Sequence, residues 1–176
     1  MSVPAHLTIP IEGLPFDKLL ADWRWLVPEK STPLLMTAFG DLFLCDDAGQ
    51  VHLLALMTGE LKSVAASQQE FEEACENREQ RRSWFLGFLS MELKKRHGPL
   101  PKNDCYSCKI PLSLGGKLES ENFEPIDLLT HFSVLGQLHR QTKHLPPGTR
   151  IEKVNVISPE GKTEPRGFWQ RITGKA

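Results

Sequence analysis

The chain has 176 residues, with 21 Lys and Arg against 22 Asp and Glu, and 40% of it is apolar. This composition excludes a largely disordered chain, and a formal charge of −1 excludes the basic excess by which general nucleic-acid and membrane-surface binders hold phosphate. One domain is expected, burying roughly 70% of the surface its unfolded form exposes, with no need of disulfide staples.

The charge is unevenly spread. Residues 1–60 hold eight acids and three bases, whereas residues 61–120 and 121–176 each carry a small basic excess. One reading is ordinary surface variation. The other is an acidic N-terminal face that meets a basic partner, with Asp17, Asp22, Glu29, Asp41, Asp46 and Asp47 as the candidate partner-binding acids. The start has no basic segment followed by an apolar one, and no stretch reaches the roughly 18 apolar residues of a membrane span. A cytoplasmic protein is expected, and its four cysteines (Cys45, Cys75, Cys105 and Cys108) are expected as reduced thiols.

In chain order, residues 1–10 are interrupted by proline and read as an extended arm. Residues 16–25 place Phe16, Leu19, Leu20 and Trp23 near helical spacing, and Pro28 follows. Four short apolar segments come next, at 34–38, 41–45, 51–56 and 60–64. Turn residues separate them, which predicts an antiparallel meander of three or four strands. Ser67 with Glu70 reads as a capping box. A long helix is predicted from about 79 to 97, stopped by Gly98-Pro99. Ser83, Gly87, Ser90 and Lys94 form its narrow polar stripe, facing either solvent or a closely approaching backbone. Residues 100–125 read as loop with a short strand near 108–112, and residues 126–132 read as a strand. Ser133 is expected to cap a final helix running to about 144. Residues 151–157 alternate weakly, as an edge strand would, and 158–176 read as a tail of low intrinsic order. The fold class is therefore α+β, an antiparallel meander packed with several helices, with a domain at 1–157 and a tail at 158–176.

Motifs of known chemistry are missing. Cys105-Tyr106-Ser107-Cys108 is a single CxxC without the second pair or spaced histidines of a zinc site, and it follows no βαβ pattern of a redox site. Plain thiols are expected. His131, His139 and His144 lack HExxH spacing, and surface or capping roles are expected of them. Gly115-Gly116-Lys117 is followed by leucine and is no phosphate loop. This reading supplies no catalytic residue, metal ligand or cofactor.

An ordered set of segments points elsewhere. It runs Thr37-Ala38-Phe39-Gly40-Asp41-Leu42-Phe43, Val51-His52-Leu53-Leu54, Thr58-Gly59-Glu60, Trp84-Phe85, then Tyr106. It continues through Pro111-Leu112-Ser113-Leu114-Gly115-Gly116 and Glu121-Asn122-Phe123-Glu124, and closes with His131-Phe132-Ser133-Val134-Leu135-Gly136-Gln137-Leu138-His139-Arg140-Gln141. Across residues 23–151 this series resembles the bacterial family of C-terminal domains of type VI secretion immunity proteins, which often accompany a GAD-like segment. The resemblance implies a non-enzymatic α+β domain that neutralises a DNase toxin by binding it, with no direct contact to nucleic acid or membrane. It implies no catalytic residue. Gly40, Phe43, Gly59, Trp84, Tyr106, Gly115, Gly116, Asn122, Phe123, Gly136 and Gln141 are the motif residues, with structural roles expected in turns and core. Two other classes stay open. One is an adaptor domain using the Ser83/Gly87/Ser90 stripe or the tail, and the other is a small-ligand or metal-binding protein.

Overall fold

The computed structural model describes residues 3–146, 149, 151 and 154–157. Residues 158–176, expected as a tail, lie outside the described residues.

Five antiparallel strands run in sequential order: β1 (Thr8–Ile9), β2 (Ser31–Thr37), β3 (Leu42–Asp46), β4 (Val51–Ala55) and β5 (Glu60–Ala65). The predicted meander is present, and the N-terminal segment adds an edge to it. That segment is not a free arm. Residues Ala5–Leu7 make one 3-10 turn, Leu7 and Ile9 are buried, and Thr8 and Ile9 pair with Thr37 and Met36. The short β1 ends before it reaches Pro33, so the proline's missing N–H costs no ladder bond on that side.

Side chains alternate across a strand, and here both faces are apolar. Met36, Leu42, Leu44 and Leu54 enter one core, while Leu35, Phe43, Val51 and Leu53 enter another. Such a sheet needs a helical layer on each side. One layer is α1 (Phe16–Leu19), the 3-10 turn Ala21–Trp23 and α5 (Leu128–Thr142). The other is α2 (Gln68–Glu76) and α3 (Arg78–Phe85), which bring Phe71, Cys75 and Phe85 over Phe43. A third core of Ala38, Phe39, Leu93, Tyr106, Cys108 and Phe123 lies between α4 (Gly87–His97) and a two-stranded sheet of β6 (Asp104–Cys108) and β7 (Phe123–Asp127). The Tyr106 N–H donates to Ala38 O and joins the two sheets.

The Ser67 cap is as expected: its hydroxyl accepts from Glu70 N. The glutamate reaches back one residue further than a standard box, to Ala66 N. Other expectations are corrected. The segment 16–25 is a four-residue helix followed by a 3-10 turn, because Leu20 at ψ 0 ends the α-helix. The long helix is two helices. Leu86 takes a left-handed conformation (φ 44, ψ 48) between Phe85, which packs under the main sheet, and Leu93, which packs under the small one. No uninterrupted helix serves both cores. Gly98, at φ +81, stops α4 as expected.

The short strand lies at Asp104–Cys108 rather than 108–112, so the CxxC is in a strand and not a loop. The strand read at 126–132 ends at Asp127. That carboxylate, rather than the Ser133 hydroxyl, caps α5 by accepting from Thr130 N. Ser133 sits in mid-helix, where its hydroxyl donates to Asp22 at 2.6 Å. The described residues of 151–157 form no edge strand. Asn155 and Ile157 are instead tied to α5 by the side-chain amides of Gln141 and Gln137.

Candidate partner-binding surfaces

The six acids singled out by charge do not form one surface. Asp41 is buried. Its carboxylate accepts from Leu56 N at 2.7 Å, and burial pushes its pKa up to about 7. Asp22 accepts from Ser133 and Gln137 on α5. Asp46 builds the β3–β4 turn by accepting from Ala48 N and Gln50 N, and its bond with His52 holds its pKa below the usual carboxylate range. Only Asp17, Glu29 and Asp47 are exposed. Asp17 has Arg24 at 3.3 Å and Asp47 has Lys30 at 3.6 Å, so two of the three already stand beside a cation.

The motif residues converge on α5 and the small sheet. Gly40, at φ +83, lies against His131, and a Cβ there would fall 2.9 Å from the ring. His131 is neither surface nor cap: it is 1% exposed, its Nε2–H donates to Phe39 O, and its Nδ1 accepts from Ser107 Oγ. Burial lowers its pKa to about 4, which keeps the ring neutral and fits that pair of bonds. Gly59 repeats the arrangement one turn of sheet away. It sits beneath His139, whose Nε2–H donates to Leu56 O. Leu56 is thus held at its N–H by Asp41 and at its carbonyl by His139. Gly136 lets α5 approach the turn at Asp22 and Trp23, and the Trp23 indole donates to Phe132 O across it. Asn122 clamps the loop after β6: it accepts from Ile110 N and donates to the carbonyls of Ile110 and Lys117. A Cβ on Gly116 would meet Ile110 O at 1.9 Å, whereas Gly115 faces open space and takes a positive φ of 89. Phe43, Trp84, Tyr106 and Phe123 pack in aromatic groups within the cores, and the Gln141 amide holds Asn155. Turn and core roles were expected of this set; Gly136 and Gln141 stand instead within α5.

The CxxC cysteines occupy positions i and i+3 of β6. Burial raises the Cys105 thiol well above its ordinary pKa and the Cys108 thiol to about 12. Among the described residues no group of three or more His, Cys, Asp or Glu is placed to hold a metal ion. A groove of about 550 Å³ runs between the N-terminal segment and residues 99–104. Tyr106 at its floor donates to Gly98 O, and burial raises its pKa away from neutrality.

The sequence reading missed the most exposed apolar feature. The small-residue stripe does not face water along its length. Ser90 is buried and donates to His6 O at 2.8 Å, and Gly87 lies against Leu7. Beside that buried stripe, α4 carries Phe88 at 70% and Met91 at 44% exposure. Phe88 stands as a ridge between two grooves of about 230 and 240 Å³. Arg78 and Arg81 border one, Leu118, itself 50% exposed, borders the other, and Arg82 borders both. The Arg82 guanidinium lies 5.1 Å from the Phe88 ring centre. Among the described residues no carboxylate pairs with any of the three arginines. The available signal was that α4 is apolar on more sides than one buried stripe requires.

Comparison with known proteins adds three findings. No curated protein matches the sequence. A solved structure, described as the crystal structure of Atu4351 from Agrobacterium tumefaciens, is similar at a TM-score of 0.48 and 18% identity. The match covers 69% of this chain and 63% of that one, so the chain accounts for less than two thirds of that protein's length. A family model described as T6SS immunity protein Tdi1, C-terminal, matches residues 65–139, which run from the end of β5 through the ridge and both motif histidines. The family that the sequence resembles is therefore the family whose model matches, over residues 65–139.

Proposed function

We propose that this protein is a non-enzymatic immunity protein that binds a cognate secreted toxin, a nuclease effector of a type VI system, and neutralises it in the cytoplasm. The observation that carries the reading is the family match over residues 65–139. The active unit is residues 1–157, with 158–176 as an appendage. The mechanism is occlusion by protein–protein contact, without contact to nucleic acid. Within the acidic set, the exposed carboxylates of Asp17, Glu29 and Asp47 are the ones a basic toxin surface can reach.

Co-expression tests the reading. The gene beside this one is first identified, and a toxin-like gene found there is induced in a sensitive host with and without this chain. Restored growth and intact chromosomal DNA, together with co-purification of the two proteins, are expected. Persistent DNA loss with no complex would overturn the proposal. The triple substitution Asp17→Lys, Glu29→Lys and Asp47→Lys tests the acids. Weaker binding with a shallower salt dependence supports their part in it, and unchanged affinity removes them.

A further inference from the structure

We infer that the Phe88 ridge is the toxin-docking surface, and that it takes an acidic partner surface: apolar side chains in the two grooves beside Phe88, with carboxylates set around them to meet Arg78, Arg81 and Arg82. The inference rests on the toxin-binding reading and names its site.

The composition of the ridge is that of an interface centre. Phe, Met and Arg are enriched where binding energy concentrates, and a fully desolvated aromatic anchor is the usual form of a hot spot. Phe88 is 70% exposed on an ordered helix whose other side is fixed by Ser90 and Leu93, so docking immobilises little that is not already held. Its exposure follows from the backbone. The left-handed Leu86 breaks the helix and reorients the following turn, placing Phe88 and Met91 outward beside the α3 arginines. Charge decides the partner. Arg78 and Arg82 are exposed and Arg81 is half-buried. Glu79, the acid of the same helix, pairs with none of them, so the ridge is bordered by three cations with no ion-pair partner among the described residues. At the ridge a basic patch of the toxin would be repelled, and a carboxylate-bearing patch is attracted and oriented; Asp17, Glu29 and Asp47 lie outside the ridge and would meet a different patch. The ridge residues all lie within 65–139, the segment that matches the immunity family.

The test uses the full chain and the purified domain of the toxin whose activity it suppresses in co-expression, inactivated at its catalytic residue, with affinity measured by calorimetry. Phe88→Asp is expected to weaken binding by at least ~30-fold, the threshold of a hot spot. Arg82→Glu is expected to weaken it ~10-fold or more and to flatten the salt dependence of the association rate. Both positions are exposed, so unchanged melting temperatures are expected; Leu118→Asp, on the other groove, is a third variant. If the wild-type chain binds the toxin and all three variants bind within threefold of it, the ridge is not the docking surface, while the immunity reading stands. If Arg82→Glu binds more tightly, the partner is basic there and the inference is overturned. If Phe88→Asp converts a self-associating wild type to a monomer and leaves toxin affinity unchanged, the occupant is a second copy and the inference fails. If the wild-type chain neither binds nor protects, the immunity reading fails and takes the inference with it.

Discussion

Gly59 lies so close beneath His139 that a Cβ built on it would fall 2.4 Å from the imidazole Cγ. The glycine also holds φ at +70, so it meets two demands at once. Gly59→Ala is expected to cost ~2–4 kcal/mol, from left-handed backbone strain plus the clash. Gly13→Ala, at φ +76 with nothing within 4 Å, carries the strain alone and is expected to cost about 1 kcal/mol. Urea midpoints of the two variants against wild type measure the difference, which isolates the His139 contact. Equal losses would mean that the ring moves aside freely.

Asp41 gives stability a pH dependence of unusual sign for a carboxylate. Its pKa in the folded chain is about 7, above the ordinary carboxylate value that the unfolded chain keeps. Between about pH 4 and 7 the folded state therefore holds a proton that the unfolded state has lost, so this contribution falls as pH rises, by up to ~1.4 kcal/mol per pH unit. His131 acts the other way. Its pKa is lowered to about 4, so stability falls as pH drops from about 6.5 to 4. His139, also lowered by burial, acts in the same direction as His131. Asp41→Asn keeps an acceptor for Leu56 N and removes the charge. The variant is expected to match wild type near pH 4 and to exceed it increasingly towards pH 8, as read by urea denaturation across that range. A constant difference at every pH would show that Asp41 does not titrate in the window.

Asn122 makes three side-chain bonds to the segment 110–117. Asn122→Ala is expected to lower global stability by only ~1–2 kcal/mol, because the site is partly wet. It is expected to open the loop locally. Limited proteolysis at Lys117 should accelerate well beyond what the global loss accounts for, while an acceleration in simple proportion to it would argue against a local clamp.

The four thiols should separate by reactivity. Cys75, Cys105 and Cys108 are buried with raised pKa values, whereas Cys45 is half-buried. Thiolate is the reactive form, so a chromogenic disulfide reagent at pH 8 is expected to titrate Cys45 first and the other three only with unfolding. Fast reaction of two thiols in the native protein, lost in Cys105→Ser, would point instead to a labile β6.

The meander, the Ser67 cap and the Gly98 stop were legible because each is written in neighbouring residues: turn glycines, a hydroxyl three residues before a glutamate, a glycine after a basic last turn. The break at Leu86 was not, since 79–97 contains no local reason to stop; Phe85 and Leu93 belong to different cores, and packing imposes the bend. Asp127 and Ser133 were both plausible caps, and the pairing of β7 with β6, invisible in sequence, selects the first. Gly40 and Gly59 were read as turn glycines, and the close contact each makes was hidden. Gly40 needs His131 and Gly59 needs His139, and sequence spacing cannot reveal that a histidine on a distant helix fills the space beneath a turn. Charge counting failed most plainly at Asp41, Asp22 and Asp46. It registers a carboxylate's presence but not its hydrogen bonds, and these three spend theirs within the fold.

The position of α5 in the chain sets the order of events during synthesis. The main sheet is complete in sequence at Ala65, yet the side chains that cover one of its faces arrive with Leu128, Phe132, Leu135 and Leu138. The bonds that seat the helix span 109 residues between Trp23 and Phe132, 92 between Phe39 and His131, and 83 between Leu56 and His139. While the nascent chain lengthens from one point to the other, that greasy sheet face has only α1 and the Ala21–Trp23 turn to cover it, and closure of the domain is a late, non-local step. A newly made molecule gains the rest of that cover only when α5 leaves the ribosome, which places the interval of greatest vulnerability to aggregation and proteolysis before that moment rather than after it.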